Sequence, residues 1–241
     1  MGPPVTAVIL DMDGLLIDTE PTWRAATFSV LADLGITLSD DDLLSTTGQP
    51  IGDLIPLWRR RAESEGHRAG AEDHRAQRSD AEVADLITDQ VVAHVIAEGQ
   101  PMPGVARAVE LCTRLGLSLA IASSSPLLLI DAVCDRLGLG GIQVRCSAAD
   151  EANGKPAPDV YLAAARRLGV SPASCVAIED SPNGIAAAKA AGMRCVTVPD
   201  PLLAADPGYQ QADLILSSLA MLDERALRLL GVRVDGPRRV P

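Results

Sequence analysis

Aromatic side chains are scarce: two Trp, two Tyr and one Phe make up 2% of 241 residues. Hydrophobic residues still reach 47%, so the core has to be filled by Ala, Val, Leu and Ile, which suits parallel strands covered by Ala-rich helices. Basic residues are in deficit as well, 21 Lys and Arg against 32 Asp and Glu, for a net charge of -11 and a pI near 4.7. That balance excludes the basic face on which non-specific binding to nucleic acid or to an anionic membrane depends. The cysteines, Cys112, Cys134, Cys146, Cys175 and Cys195, are odd in number, widely spaced and without a C-x-x-C, and read as reduced core thiols rather than disulfides or metal ligands. No apolar run nears the ~20 residues that span a bilayer, and the first residues lack the basic and apolar regions of a signal peptide. A soluble cytoplasmic protein is expected, with no nucleic-acid or membrane partner. There is no internal repeat, and 241 residues suffice for one large domain or for a core that carries an insertion.

What is present alternates. After the first apolar run, Val8-Ile9-Leu10, short β-rich runs at Leu117 to Ala122, Ile142 to Cys146, Cys175 to Ile178, Cys195 to Val198 and Leu214 to Leu216 are separated by helical patterns. Strand-helix alternation predicts a parallel sheet. The helices run from Pro103 to Leu115, Pro126 to Leu137, Pro158 to Leu168 and Pro182 to Ala191, each opened by Pro and stopped by Gly at 116, 138, 169 and 192. Residues 18–99 show no strand pattern but an amphipathic helical one, carried by Trp23, Phe28, Leu31 and Leu34, then Leu54, Leu57 and Trp58, then Leu86, Val91 and Val95. A helical insertion there follows the first strand, so its ends should meet over that strand's carboxyl end, where an insertion acts as a lid. Within it, Arg59 to Ser79 lacks apolar periodicity and reads as a solvated loop or ragged helix; His67 and His74 lie there without companion ligands. The expected division is a core of residues 1–17 and 100–230, a cap of 18–99 and a disordered tail at 231–241.

Chemistry collects at the strand ends. In an open α/β sheet, ligands bind outside the carboxyl ends of the strands, and Asp11-Met12-Asp13-Gly14 follows the first strand directly. Ser123-Ser124-Ser125 follows a second strand and Glu179-Asp180 a third, with Lys155 in Gly154-Lys155-Pro156 on the same edge. Each has a plainer reading: a helix N-cap for the serines, a surface lysine, a helix start for Glu179-Asp180. Their convergence on one edge favours a site. Asp11, Asp13, Glu179 and Asp180 would repel a phosphate dianion and raise one another's pKa values. Cations are therefore needed: Lys155, and a divalent ion with hard oxygen ligands, Mg²⁺ by preference. The Ser123 hydroxyl and the N–H groups of the following helix suit phosphate oxygens.

With these motifs in order, Asp11-Met12-Asp13-Gly14, Ser123, Lys155-Pro156 and Glu179-Asp180-Ser181, the chain resembles the haloacid dehalogenase superfamily in the branch with a small helical cap. The likeness spans nearly the whole chain. Gly14 to Pro21 and Glu179 to Gly184 are similar to the β-phosphoglucomutase-like group and, within it, to bacterial sugar-phosphate phosphatases acting on 2-deoxyglucose 6-phosphate and hexitol phosphates. The resemblance implies a Rossmann-like doubly wound parallel sheet with an inserted α-helical cap, and a hydrolase, a phosphatase of small phosphorylated metabolites. It implies that Asp11 is the nucleophile forming an aspartyl-phosphate and Asp13 the acid/base. Asp11 and Asp180 would bind Mg²⁺ through carboxylates and Asp13 through its main-chain carbonyl, with Glu179 supporting the metal; Ser123, Ser124 and Lys155 would hold the phosphoryl group. A monomer is expected, with a dimer left open. Mutases of the group carry His where Trp23 stands and Arg where the chain reads Gly48-Gln49-Pro50-Ile51. Loss of those contacts to a second phosphate favours hydrolysis, although Trp23 also reads as a core residue of the cap. The rivals are a phosphosugar mutase and a catalytically silent phosphometabolite-binding regulator; dehalogenation is disfavoured because halide departure needs no acid such as Asp13.

Overall fold

The protein was analysed as a computed structural model that describes residues 3–44, 49–64 and 78–233. Six strands, β1 (Ala7–Leu10), β2 (Ser118–Ser123), β3 (Val144–Ser147), β4 (Cys175–Glu179), β5 (Arg194–Thr197) and β6 (Leu214–Ile215), form one sheet in the order β3-β2-β1-β4-β5-β6. All neighbours are parallel. This is the doubly wound order of a Rossmann-like fold, and its direction of winding reverses between β1 and β4. The predicted strands are all present, shifted by no more than two residues.

Alternation along the strands builds two cores. Val8 and Leu10 join Ile121, Val176, Ile178 and Val196 on one face, while Ala7 and Ile9 join Ala120, Ala122, Cys175, Ala177 and Cys195 on the other. The small-residue face is covered by α7 (Asp159–Leu168) and α8 (Pro182–Ala190), whose Ala163, Ala164, Ala187 and Ala188 allow close approach. The larger-residue face meets α5 (Val105–Arg114), α6 (Leu127–Leu137) and α9 (Glu224–Leu229). Each fully buried Val, Leu or Ile there contributes roughly 1.5–3 kcal/mol. The cysteines are all buried as free thiols, as expected.

Between β1 and α5 the described chain is helical: α1 (Glu20–Asp33), α2 (Asp40–Leu44), α3 (Ile51–Ser64) and α4 (Asp80–Glu98). Ser79 caps α4 by a reciprocal box with Glu82. Val83, Ile87, Val91 and Val95 of α4 are buried in one cluster with Val30 and Leu31 of α1 and with Ile130 and Val133 of α6, so the helical segment shares its core with one face of the sheet. Its two ends meet: Ile17 bridges Pro101, and the Met102 N–H donates to the Leu16 carbonyl at 2.9 Å.

Of the stretch expected as a loop or ragged helix, Arg59 to Ser64 continue α3, and Arg59 reaches the start of α4, donating to the Arg78 carbonyl at 2.6 Å and pairing with Asp80 at 2.8 Å. Two expectations change. Leu57 is exposed, since α3 turns Leu54, Ile55, Trp58 and Ala62 inward and leaves it on the opposite side. Gly231 and Val232, expected in a disordered tail, are held: Val232 is buried and bridges Val5, and the Gly231 carbonyl accepts from the Val5 N–H at 3.1 Å. His67, His74 and residues 234–241 lie outside the described residues. Among the described residues no helix is long and apolar enough to cross a membrane.

Candidate active site

The winding reversal explains why Asp11 and Asp180 meet. Leu10 pairs with Ile178 and with Ile121, so the residues leaving β1, β4 and β2 emerge side by side, and the Asp11 N–H donates to the Ile178 carbonyl at 2.9 Å. The chain then turns at Gly14, where φ is 75° and a Cβ would stand 1.9 Å from Asp180 Oδ2. Only glycine lets this loop close over the Asp180 carboxylate.

Lys155 ties the ends together. Its ammonium donates to Asp11 Oδ1 at 2.5 Å, Glu179 Oε1 at 2.7 Å and the Ala122 carbonyl at 3.1 Å, which uses all of its hydrogens. Glu179 is saturated in turn. Tyr161 donates to Oε1 at 2.6 Å, while the N–H groups of Asp180 and Ser181 and the Ser181 hydroxyl reach Oε2 at 3.1–3.2 Å. Ser181 caps α8 through the Gly184 N–H, and a Cβ on Gly184 would meet the Glu179 carboxylate at 1.9 Å, so the helix seals Glu179 from solvent. The Tyr161 ring also lies under the Lys155 ammonium, 5.1 Å from the centroid.

Crowding shifts these groups as the physics requires. Burial, then Glu179, pushes Asp11 up to about 8 against the pull of Lys155, and burial, then Asp11 and Glu179, raises Asp180 well above the carboxylate range. Burial would lower Lys155, but Asp11 and Glu179 outweigh it and hold the ammonium above its ordinary value. One buried cation among three buried carboxylates leaves negative charge uncompensated. Ligand atoms of Asp11, Glu179 and Asp180 lie within 4.8 Å of one another, a set of hard oxygens that fits a divalent cation. Because both Glu179 oxygens already accept from the protein, Asp11 and Asp180 carry the open lone pairs and Glu179 stands as their support.

Asp13 lies apart from that cluster and is held differently. Thr19 Oγ1 donates to Oδ1 at 2.5 Å with Trp23 Nε1 at 3.4 Å, and Ser123 and Ser125 donate to Oδ2 at 2.9 and 2.8 Å. The serines therefore do not cap α6, whose N-cap is Pro126 without a side-chain bond. Ser124 lines a cavity of about 100 Å³ together with Asp13, Ser125, Trp23, Trp58 and Glu20. Trp23 is half-buried: it lines this cavity and also packs against the hydrophobic cluster that the cap helices share, as its reading as a cap core residue expects. The residues expected at the strand ends are thus together, Asp11 with Lys155, Glu179 and Asp180, and Asp13 with Ser123. Those the sequence reading missed are Thr19, Ser125, Tyr161 and Glu20. Thr19 and Glu20 carried a signal by adjacency to the first motif, and Ser125 by its place in the serine run after β2; Tyr161 carried none.

With this geometry in place, the likeness to known proteins has a physical meaning. The family model of haloacid dehalogenase-like hydrolases matches residues 5–192. The chain belongs to the haloacid dehalogenase-like hydrolases. Among the relatives of this hydrolase, hexitol phosphatase B of Escherichia coli K12 is 39% identical over 226 residues, 92% of this chain and 96% of that protein. Protein CbbY of Rhodobacter capsulatus is 36% identical, covering 92% of this chain and 96% of that one. The crystal structure of CbbY from Rhodobacter sphaeroides in complex with phosphate superposes with a TM-score of 0.77 at 30% identity, over 93% of this chain and 99% of that one. As a member of the family, the chain is an enzyme of a hydrolase group whose relatives include named phosphatases.

Proposed function

We propose that this hydrolase is a Mg²⁺-dependent phosphatase of small phosphorylated sugars or polyols, in which residues 18–99 cap a core of 1–17 and 100–230. The observation that carries the reading is the pairing of Asp11 with Lys155 at 2.5 Å beside Asp180, with Asp13 two residues on in a nest of hydroxyl and indole donors. Asp11 attacks phosphorus through a carboxylate oxygen, the bond from phosphorus to the sugar oxygen breaks, and Asp13 gives its proton to the departing oxygen. Water then attacks the aspartyl-phosphate while Asp13 takes its proton, which returns Asp11 and frees phosphate. A carboxylate nucleophile divides one hard displacement into two, and a positioned acid/base contributes ~10²–10⁴ in rate.

Lys155 has a matching role. When Asp11 becomes an acyl phosphate it loses its charge, which releases one ammonium hydrogen to a phosphoryl oxygen while Glu179 and Ala122 keep the ammonium in place. Ser123 and Ser124 are assigned to the remaining phosphoryl oxygens. Mg²⁺, held by the Asp11 and Asp180 carboxylates and the Asp13 carbonyl with support from Glu179, would supply positive charge against the spreading charge of the transferred group. Hexitol phosphatase B among the relatives supports a sugar or polyol ester as substrate.

The test is phosphate release from a panel of hexitol, hexose and deoxyhexose monophosphates, expected with Mg²⁺ and absent after EDTA. Release from none of them would replace this reading with a silent phosphometabolite-binding regulator. Given β-glucose 1-phosphate and a trace of β-glucose 1,6-bisphosphate, the enzyme should free inorganic phosphate with little glucose 6-phosphate; the reverse ratio would make it a mutase.

A further inference from the structure

The two tyrosines of the chain, Tyr161 and Tyr209, both spend their hydroxyls on one turn, at consecutive residues. Tyr161 donates to the Glu179 side chain, whereas Tyr209 donates to the main-chain carbonyl of Asp180 at 2.7 Å, where the Asp200 N–H also arrives at 3.1 Å. Those two donors fill both lone pairs of that carbonyl. The carboxylate of Asp180 is held by nothing comparable. Asp11 accepts from Lys155 and Asp13 from four side chains, but among the described residues no donor reaches the Asp180 carboxylate. Side-chain direction follows the backbone angles, so Asp180 takes its aim from a main chain fixed at its N–H by Glu179 Oε2, 3.1 Å away, and at its carbonyl by Asp200 and Tyr209.

Tyr209 reaches this carbonyl from a 3₁₀ turn (Pro207–Gln211) between β5 and β6. Asp206 caps the turn by accepting the Gly208 N–H at 2.7 Å, and Gly208 lies close against Pro182, the first residue of α8: a Cβ on Gly208 would stand 2.8 Å from the Pro182 Cβ. The turn is thereby latched two residues past Asp180. The buried ring joins Ile185 and Ala188 in the small-residue core. A phenylalanine ring would serve that packing as well, so the hydroxyl is what packing leaves unexplained. Its plain reading is that a buried phenol needs some acceptor. Against that reading, the acceptor it meets belongs to the carboxylate residue that no side chain holds. Mg²⁺ demands near-ideal octahedral geometry, and groups that orient its ligands from outside matter to its affinity.

We propose that Tyr209 is a positioning residue, whose hydroxyl holds the Asp180 main chain so that the Asp180 carboxylate stays beside that of Asp11 at the proposed cation site. This rests on the cation site of the phosphatase reading above. The experiment uses enzyme freed of metal with EDTA and titrated with Mg²⁺ alone at pH 8, and reads the Mg²⁺ concentration that gives half of the full rise in Tm. Tyr209→Phe keeps the ring and loses one hydrogen bond, and should raise that concentration by about 3–10-fold. A merely structural hydroxyl would lower the Tm of the metal-free enzyme and leave the Mg²⁺ concentration where it was. Gly208→Ala keeps the hydroxyl but presses its turn off Pro182; it should act in the same direction, and it decides the matter if Tyr209→Phe does not fold. An increase below about threefold overturns the role of Tyr209 alone, as does failure of both variants to fold. A wild type whose Tm ignores Mg²⁺, or Asp180→Asn enzyme that responds like wild type, overturns the proposed cation site and this inference with it.

Discussion

At the ends of β1 and β4 the charged side chains are buried, with Lys155 held between Asp11 and Glu179, and Glu179 under Tyr161 and the start of α8. On α1, by contrast, Glu20, Trp23 and Arg24 are half-buried and face a cavity. The strand-end half is rigid because hydrogen-bonded sheet register sets its spacing, and the low dielectric there makes any misplaced charge costly. The helical half leaves polar groups facing a cavity, which is what a surface that selects among substrates requires. Asp13 belongs to both, since Thr19 and Trp23 hold one oxygen from the helical side and Ser123 and Ser125 the other from β2 and the loop after it. With the proposed acid/base on that seam, proton transfer would depend on how the helices sit over the sheet.

Substitutions in the strand-end half should be the more damaging. Asp11→Asn removes the proposed attacking carboxylate at constant volume, and turnover should fall by ~10³-fold or more with the fold retained. Circular dichroism and phosphate release check this together, and activity within tenfold of wild type would erase the distinction between the halves. The same cluster should govern metal-linked stability. With Asp11 at about 8 against an unfolded value near 3.8, the folded state holds more protons between those values, so this contribution is full below pH ~4 and is lost as pH rises toward 8. A divalent cation takes the ionised form, so Mg²⁺ at about 100 times its Kd should raise Tm by roughly 5–10 °C at pH 8 and by clearly less at pH 5. Thermal melts at both pH values read this out; equal shifts would mean that the cation does not bind the Asp11 cluster.

The smallest effect sharpens the comparison. Tyr161→Phe keeps the ring beneath Lys155 but removes one donor from Glu179, and should lower kcat by about tenfold with a modest change in KM. Tyr161→Leu, which loses ring and hydroxyl, should be worse. If Tyr161→Phe matched wild type, Glu179 would need no more than Lys155 and the α8 turn to hold it.

Local chemistry made much of this readable. Asp11 and Glu179 each follow an apolar run directly, with Asp180 next to Glu179, and Lys155 stands in a Gly-Lys-Pro loop, so their types and positions stand out along the chain. The remaining strands and the Pro-in, Gly-out helices were legible for the same reason. Tyr161 reads as an ordinary apolar position of a helix, and nothing in its neighbourhood signals a bond to Glu179, 18 residues on. Ser125 reads as a helix cap until the fold carries it to Asp13, 112 residues back. For the polar run Arg59 to Ser64 the choice between loop and helix stayed open in the sequence, because the partners of Arg59, Arg78 and Asp80, lie across a gap in it. Residue type and strand-end position therefore determined which groups could attack, bind a cation or grip phosphate, because those choices depend on a few neighbouring residues. Which carboxylates are saturated, which face the cavity and which hydroxyls turn to Asp13 were decided by tertiary packing, because hydrogen bonds between distant segments exist only once sheet register and helix docking bring their atoms within about 3 Å.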